Sequence, residues 1–427
     1  MPSPVPRSGV RQRLLFLTFS LAAITYLDRV CISAVAPSIM KDLDLSVVRM
    51  SFIFSAFTLA YSLFEIPAGW MGDVIGPRRV LTRLVLWWSA FTILTATARS
   101  QLSLAGIRFL FGAGEAGAFP NMSRANSRWF PLAERGRANG ILFLGSRVGG
   151  ALAPVFALQV ARIWGWRACF VVFGIFGVLW VWAWHHWYRD DPAEHPDVSP
   201  EELAWIRQDE TAEHAAEGRS EGKVPWGRIA TNRNLYTICL MYFCFGYGLY
   251  FYFTWLPTYL INVLGFSSMA GGIWAGMPFV LAGGADVAGG WLTDSLSRAF
   301  GLKIGRSWLG FVAFAGSAAL LYGSTRISDR TGRAALIVLA LACADLALSA
   351  CWAVCLDVGR NFAGVVTGCM NTFGNLGGVV GPMVVGYTIQ WWNSWSVPFY
   401  ITSAIYLIGA ISWLAIDPLE QIDPPNL

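Results

Sequence analysis

The sequence predicts an all-α polytopic membrane protein with twelve transmembrane helices in two pseudo-symmetric six-helix bundles. Three observations predict this fold: the composition, the number of long apolar segments, and motifs of the first half that recur in the second. Of the 427 residues, 55% are hydrophobic and only 13% are charged, whereas soluble proteins carry roughly 25% charged residues. Because the deficit of charge extends over the whole chain, the composition excludes a water-soluble enzyme.

Apolar segments long enough to cross a membrane recur along the chain. A helix needs about 20 apolar residues to span the bilayer core, and twelve segments bounded by charged residues, glycine or proline have that length. The predicted spans 1 to 12 cover residues 14–38, 49–72, 80–98, 102–122, 138–161, 168–188, 235–262, 269–293, 307–325, 334–356, 362–390 and 396–416.

The distribution of basic residues predicts the orientation in the membrane. Cytoplasmic loops are enriched in lysine and arginine. With the N-terminus inside, 20 of the 31 lysine and arginine residues fall in inner segments and eight in outer segments. We therefore expect a multi-pass protein of the cell (inner) membrane with both termini in the cytoplasm.

One hydrophilic stretch divides the spans into two sets of six. Residues 189–234 carry eleven acidic and six basic residues, and within them SPEELAWI is typical of a surface helix that begins at Ser199. The predicted organisation is an N-terminal six-helix bundle over residues 1–188, a cytoplasmic linker with short surface helices over 189–234, and a C-terminal six-helix bundle over 235–427.

The two predicted bundles repeat each other. GWMGD near the end of span 2 and GWLTD near the end of span 8 are 221 residues apart, and the same offset relates Glu65 to Asp286. Spans 5 and 11 share three glycines and a proline at an offset of 228, which places Arg147 opposite Asn375. Duplicated halves are typical of secondary transporters, in which one half moves against the other around a central site.

With these motifs the chain resembles the major facilitator superfamily, and within it the anion:cation symporter family. The resemblance rests on YLDR (26–29), IPAGWMGDVIGPRR (66–79), RFLFGAGEAGAFP (108–120), RWFPLAERG (128–136), YFTWLPTYL (252–260) and GNLGG (374–378). That family includes bacterial carriers of galactonate, glucarate and hexuronate, and GYGLYFYFTWLPTYL is most similar to this sugar-acid branch. The resemblance implies the major facilitator fold and transport rather than catalysis.

Ionisable residues inside the spans are functional candidates, because a charged side chain at the bilayer centre costs about 3 kcal/mol on insertion scales. Arg108 and Glu115 lie seven residues apart on one face of span 4, so we expect Arg108 to be the partner of Glu115. Asp28 and Arg29 are adjacent and point about 100° apart, so we expect Arg29 to face the central cavity. The alternative is a static ion-pair network that only locks helices together.

These four residues also suggest how proton and anion are coupled. Burial disfavours a charged carboxylate and a nearby arginine favours it, so an anion that competes for the arginine makes the carboxylate readier to take up a proton. The resemblance implies the same assignment, in which the Asp of span 1 and the Glu of span 4 carry protons and the Arg beside the Asp holds the substrate. We therefore assign Asp28, Glu115 and Arg108 to proton coupling and Arg29 to the substrate.

Other residues complete the predicted substrate site. By resemblance, the cavity is lined by Tyr26, Tyr61, Trp352 and Asn375, with Asn371 as the substitute if the register of span 11 is displaced. Tyrosine and asparagine offer hydrogen bonds to hydroxyl groups without charge. Arg147 either clamps a second carboxylate, which favours a dianion such as an aldarate, or packs helices near the cytoplasmic end.

The inner ends of the spans carry the predicted gating residues. These are Glu65, Asp73, Arg78, Arg79, Asp286 and Asp294. For Glu65 and Asp286 a hydrogen-bonded structural role is the alternative. Asp345, in the middle of span 10, receives no assignment.

The predicted function is a secondary active transporter that imports an organic anion by proton symport with alternating access. The first candidate for the anion is a sugar acid (aldonate, aldarate or hexuronate). The alternatives are an anion exchanger or aromatic-acid carrier on the same fold, and a transporter-like membrane sensor. The sequence lacks a GxxxxGK[ST] phosphate loop, which argues against an ATP-driven pump. We expect a monomer that needs only the anion, protons and the bilayer, with no enzymatic activity, metal, cofactor or nucleic acid.

Overall fold

The computed structural model describes residues 9–209 and 226–421, and within them the side chains of Asp73, Trp226, Arg228, Ala230 and Asn361 lie outside the description. All regular elements of these residues are helices, as the sequence predicts. The first six spans are Gly9–Ala34, Val47–Ile75, Pro77–Thr95, Gln101–Glu115 continued by Ala118–Trp129, Leu132–Trp164 and Trp166–Trp187. A short helix, Ala36–Asp42, follows span 1.

Short helices, Pro192–Glu194, Pro200–Ile206 and Trp226–Thr231, lie between the two sets of spans. Spans 7 to 12 are Arg233–Thr254 continued by Leu256–Thr258 and Tyr259–Val263, then Ser268–Phe300, Ile304–Trp308 continued by Leu309–Ser324, Arg330–Asp345 continued by Leu348–Gly359, Ala363–Trp392 and Ser396–Ala415. A 3₁₀ turn, Arg360–Phe362, precedes span 11.

Eight helical segments of the described residues are long and apolar enough to cross a membrane by length and composition. Spans 3, 4, 8 and 11 are helical too but fall outside that set. Span 3 begins with the charged pair Arg78 and Arg79, span 4 is interrupted after Glu115, and spans 8 and 11 are rich in glycine. The charged pair, the interruption and the glycines distinguish these four spans from the other eight, and the fold is the same.

Glycines set the distance between spans 1 and 5 and between spans 7 and 11. A Cβ atom on Gly149 would lie 2.2 Å from the Ala23 carbonyl oxygen, and one on Gly377 would lie 2.3 Å from that of Phe243. Small residues allow such close approach of membrane helices. Gly149 and Gly377, which are related by the offset of 228, therefore make the same helix contact in each half.

The first part of the predicted linker packs against the end of spans 1 and 5. Helix Pro200–Ile206 begins after Ser199, whose hydroxyl accepts the Glu202 amide, as predicted. The Glu202 carboxylate accepts a hydrogen bond of 3.1 Å from Arg11, and the Trp205 indole donates to Glu134 over 3.1 Å. We call the membrane side that carries these contacts the terminal side and the opposite side the far side.

The two halves pack most closely on the far side. The Ser55 hydroxyl of span 2 donates to the carbonyl oxygen of Val379 in span 11 over 2.7 Å. A Cβ atom on Gly276 of span 8 would lie 2.2 Å from the carbonyl oxygen of Ala151 in span 5. This packing closes the far side, so the space between the halves is approached from the terminal side.

Candidate functional site

A cavity of about 630 Å³ lies between the two halves. Its wall includes all seven predicted substrate-binding residues, namely Tyr26, Arg29, Tyr61, Arg147, Trp352, Asn371 and Asn375. Two predicted gating residues, Glu65 and Asp286, line it as well. A volume of this size fits a small organic molecule.

Arg29 is the cation of the wall contributed by span 1. Its guanidinium lies 4.7 Å from the ring centroid of Tyr61 and 5.2 Å from that of Tyr26. Its Nε and Nη2 atoms donate to Glu115 over 3.3 and 3.1 Å. The aromatic rings hold the charge by cation–π attraction, so Arg29 reaches both the cavity and the buried carboxylate behind it.

Arg108 interacts with Glu115 electrostatically, as predicted, but makes no direct ion pair with it among the described residues. Arg108 is 1% exposed, and its guanidinium lies 4.1 Å from the ring of Phe111 and 5.2 Å from that of Phe57. Helix side chains point towards the N-terminus of their helix, so Arg108 extends away from Glu115, which is seven residues later. Arg108 still interacts electrostatically with Glu115 and Asp28, and its Nη1 has no hydrogen-bond partner among the described residues.

Asp28 lies behind the cavity wall and is fully buried. Neither of its carboxylate oxygens has a hydrogen-bond partner within the described parts of the chain. Its electrostatic neighbours are Glu115 and Arg108, and the Trp88 indole lies beside it. A buried carboxylate without a partner is costly when charged, so this position favours a carboxyl group that can hold a proton.

Glu65 joins the two halves on the terminal side of Arg29. Its carboxylate accepts hydrogen bonds from Asn371 over 2.7 and 2.8 Å and from Asn375 over 3.2 Å. Asn375 also accepts a bond of 3.3 Å from the Tyr250 hydroxyl. Both asparagines considered for span 11 therefore contribute, because they lie one helical turn apart and face the same carboxylate.

At the pseudo-symmetric position, an acid of the second half, Asp286, contacts Arg147 of the first half. Its Nε and Nη2 atoms donate to Asp286 over 3.0 and 2.7 Å, and Nη2 lies 3.1 Å from an oxygen of Asp345. The residues paired by the two sequence offsets, Glu65 with Asp286 and Asn375 with Arg147, thus form equivalent bridges between the halves. Arg147 lines the cavity, with 14% of its side chain exposed.

The other predicted gating residues bind within their own half. The Arg78 guanidinium donates to the His185 carbonyl oxygen over 2.7 Å, and its backbone amide donates to Asp190. Arg79 is exposed. Asp294 is exposed and lies 3.6 Å from Arg306. These contacts connect adjacent spans rather than the two halves.

Two polar residues of the cavity wall, Tyr250 and Asp345, have roles that sequence reasoning did not assign. Tyr250 contacts Asn375 and faces Arg29, and Asp345 holds Arg147. Tyr250 lies in a segment that the sequence marks only by its similarity to the sugar-acid branch. The position of Asp345 in an otherwise apolar span was the signal for a role there.

Comparison with known proteins agrees with this architecture. The Major Facilitator Superfamily model matches residues 18–382. The chain is 34% identical to a probable sulfoacetate transporter of Cupriavidus necator over 98% of this chain and 97% of the relative. It is 30% identical to a probable galactarate/D-glucarate transporter of Bacillus subtilis over 97% and 94% of the two chains.

The fold also matches a solved structure. A bacterial homologue of the human lysosomal transporter Spinster, in an inward-facing and occupied conformation, aligns with a TM-score of 0.78 at 18% identity and covers 96% of this chain and 97% of its own. The predicted all-α polytopic fold is confirmed, and transport in place of catalysis follows from the family and its relatives. The chain belongs to the Major Facilitator Superfamily and, like its relatives, is an integral membrane transporter for small anions.

Proposed function

We propose that this protein imports a small organic acid together with protons, and that Arg29 holds the acid group of the substrate. The observation that carries the proposal is the position of Arg29, which faces the cavity and donates two hydrogen bonds to the buried Glu115. The relatives named above are probable transporters of a sulfonated acid and of sugar acids.

The contacts of Arg29 support a coupling mechanism. An incoming carboxylate or sulfonate competes with Glu115 for donors of the same guanidinium. Glu115 is fully buried, both Arg29 donors go to its Oε2, and its Oε1 has no hydrogen-bond partner in the described residues. When the substrate takes Arg29, Glu115 keeps only its electrostatic interaction with Arg108 and takes up a proton, with Asp28 beside it as a second acceptor.

The bridges between the halves support alternating access. In this conformation the far side is closed by packing, and polar bridges at Glu65 and Arg147 join the halves on the terminal side. Opening the close packing on the far side, while the halves come together on the terminal side around these bridges, would turn the cavity to the other side. With the predicted orientation, the conformation described here faces the cytoplasm, where the substrate is released.

The proposal is tested with purified protein in liposomes that carry an inward proton gradient. Labelled galactonate, galactarate and a hexuronate represent sugar acids, and sulfoacetate represents the second candidate class, which the similarity to the probable sulfoacetate transporter favours. We expect accumulation of at least one of them that collapses when the gradient is dissipated. Uptake that needs an internal counter-anion and ignores the proton gradient would instead identify an exchanger, and binding without uptake would identify a sensor.

A further inference from the structure

We propose that Asp345 is a second proton-coupling carboxylate, released from Arg147 when the second acid group of a dianionic substrate binds there. The inference rests on the proposed function and specifies its substrate class. The first half holds one carboxylate–arginine unit, Glu115 with Arg29. Asp345 with Arg147 forms a second such unit, whose carboxylate lies in the second half.

The interrupted helices show the equivalence. Span 4 stops at Glu115 and resumes at Ala118, and span 10 stops at Asp345 and resumes at Leu348. The two acids are 230 residues apart, close to the offsets that relate spans 2 and 8 and spans 5 and 11. In each half an acid therefore occupies the last position before the same two-residue break.

Each acid also contacts an arginine of the cavity wall, Glu115 that of span 1 and Asp345 that of span 5. Both are fully buried. Glu115 lies 3.1 Å from the Nη2 atom of Arg29, and Asp345 lies 3.1 Å from the Nη2 atom of Arg147. Both arginines line the same cavity. Neither oxygen of Asp345 makes a well-aligned hydrogen bond within the described chain, so Arg147 is its main electrostatic support.

The surroundings of Asp345 leave it dependent on Arg147. The groups that face it are Arg147 of span 5, Asp286 of span 8, Tyr242 and Tyr252 of span 7, Cys351 of span 10 and Tyr406 of span 12. Arg147 is the one cation among these described groups. It serves two carboxylates, and two neighbouring carboxylates cannot easily both stay charged without it.

A dianion can use both units at once. One acid group binds Arg29 and displaces Glu115, while the other binds Arg147 and displaces Asp345 and Asp286. Each unit then takes up one proton from solvent to replace the lost cationic contact, and releases it after the substrate leaves. No covalent bond forms or breaks. A monoanion occupies Arg29 alone, so Asp345 keeps its contact with Arg147.

The test compares galactarate with galactonate, which share a carbon skeleton and differ by one acid group. In liposomes with wild-type protein, the membrane potential and pH gradient at which net flux stops give the number of protons per substrate. We expect one more proton per galactarate than per galactonate, and in Asp345→Asn the galactarate ratio falls by one while that of galactonate is unchanged. Asp357→Asn, which removes a carboxylate bound to Arg306 outside the cavity, should keep both wild-type ratios.

A second readout separates coupling from folding. Exchange of labelled for unlabelled galactarate needs no net proton movement, so Asp345→Asn should keep it, and Asp345→Glu should restore the wild-type ratio. The inference is overturned if Asp345→Asn leaves the galactarate ratio unchanged, if it abolishes exchange in monodisperse protein, or if the wild type moves galactonate but never a dianion. In that last case the proposed function stands, whereas wild-type protein that accumulates no acid at all defeats the proposed function itself.

Discussion

At the scale of single residues, Arg29 has the central position. It lies between the cavity and the buried carboxylates, and the aromatic rings of Tyr26 and Tyr61 hold its guanidinium in place. A guanidinium presents several donors in a fixed plane, whereas an ammonium is a point charge. The geometry therefore requires arginine here, and positive charge alone does not suffice.

We expect Arg29→Lys to lower the rate of proton-driven uptake at least tenfold. Lysine keeps the charge but loses the two-donor contact with Oε2 of Glu115 and the stacking on the rings, a loss of about 1.5–3 kcal/mol for a charged hydrogen bond. Initial uptake rates in liposomes measure the effect. Arg13→Lys, at an arginine whose side chain is 68% exposed on the terminal side, is the matched control, and equal losses in both variants would contradict this role.

Which residues of the site contact each other was harder to predict from the sequence than which residues belong to the site. The predicted wall residues came mainly from the resemblance to the family, and all seven predicted substrate contacts lie on one cavity. Which arginine binds Glu115 depends on the direction of long side chains, and helical spacing leaves that direction open. The sequence offsets, in contrast, already related the four residues of the bridges, and the structure adds that they touch across the halves.

At the scale of helices, the sequence predicted all twelve spans but treated spans 4 and 10 as continuous. Both are interrupted for two residues directly after an acid. Hydropathy averages over about 20 residues and does not detect a two-residue break. Because the interruption follows an acid in both halves, we attribute it to Glu115 and Asp345 and not to local packing.

Glycines at the contact between spans 5 and 8 allow the far side to close. A Cβ atom on Gly276 would lie 2.2 Å from the Ala151 carbonyl oxygen, whereas one on Gly284 of the same helix has nothing within 4 Å. Overpacking of this kind costs about 1–3 kcal/mol, here against the conformation closed on the far side. We expect Gly276→Ala to shift the population towards the form open on that side and to slow uptake, while Gly284→Ala leaves both unchanged.

Distances between spin labels on the far-side ends of spans 5 and 8, in a background without native cysteines, measure that shift. A longer distance in Gly276→Ala than in Gly284→Ala supports the assignment. The same distance distribution in both variants would show that Gly276 plays no part in closing the far side.

The helix Pro200–Ile206 stabilises the first half through Glu202, which is 2% exposed and accepts from Arg11. We expect Glu202→Ala to lower the free energy of unfolding by about 1–3 kcal/mol, because it leaves a buried cation with one contact fewer. Thermal unfolding of the protein in detergent measures the change. Glu201→Ala, next to it and exposed, should leave the melting temperature within about 1 °C, and equal shifts in both would contradict the role of this contact.

At the scale of the whole molecule, the basic residues predict that the terminal side faces the cytoplasm. The prediction is tested by fusing alkaline phosphatase, which is active only outside the cytoplasm, after Leu427 and separately after Gly265 in the far-side turn between spans 7 and 8. We expect activity only from the fusion after Gly265. Activity from the fusion after Leu427 would reverse the orientation and with it the direction of the proposed import.

The central claim for the whole molecule is that buried carboxylates couple protons to the anion on Arg29. The most direct measurement compares Asp28→Asn and Glu115→Gln with wild-type protein in the same liposomes, for an acid that the wild type accumulates. The mechanism predicts that both variants lose accumulation against a gradient but keep exchange of labelled for unlabelled substrate, since exchange needs no release of protons. If both variants still concentrate the acid under a proton gradient, Asp28 and Glu115 are only structural partners of the arginines, and the coupling mechanism is wrong.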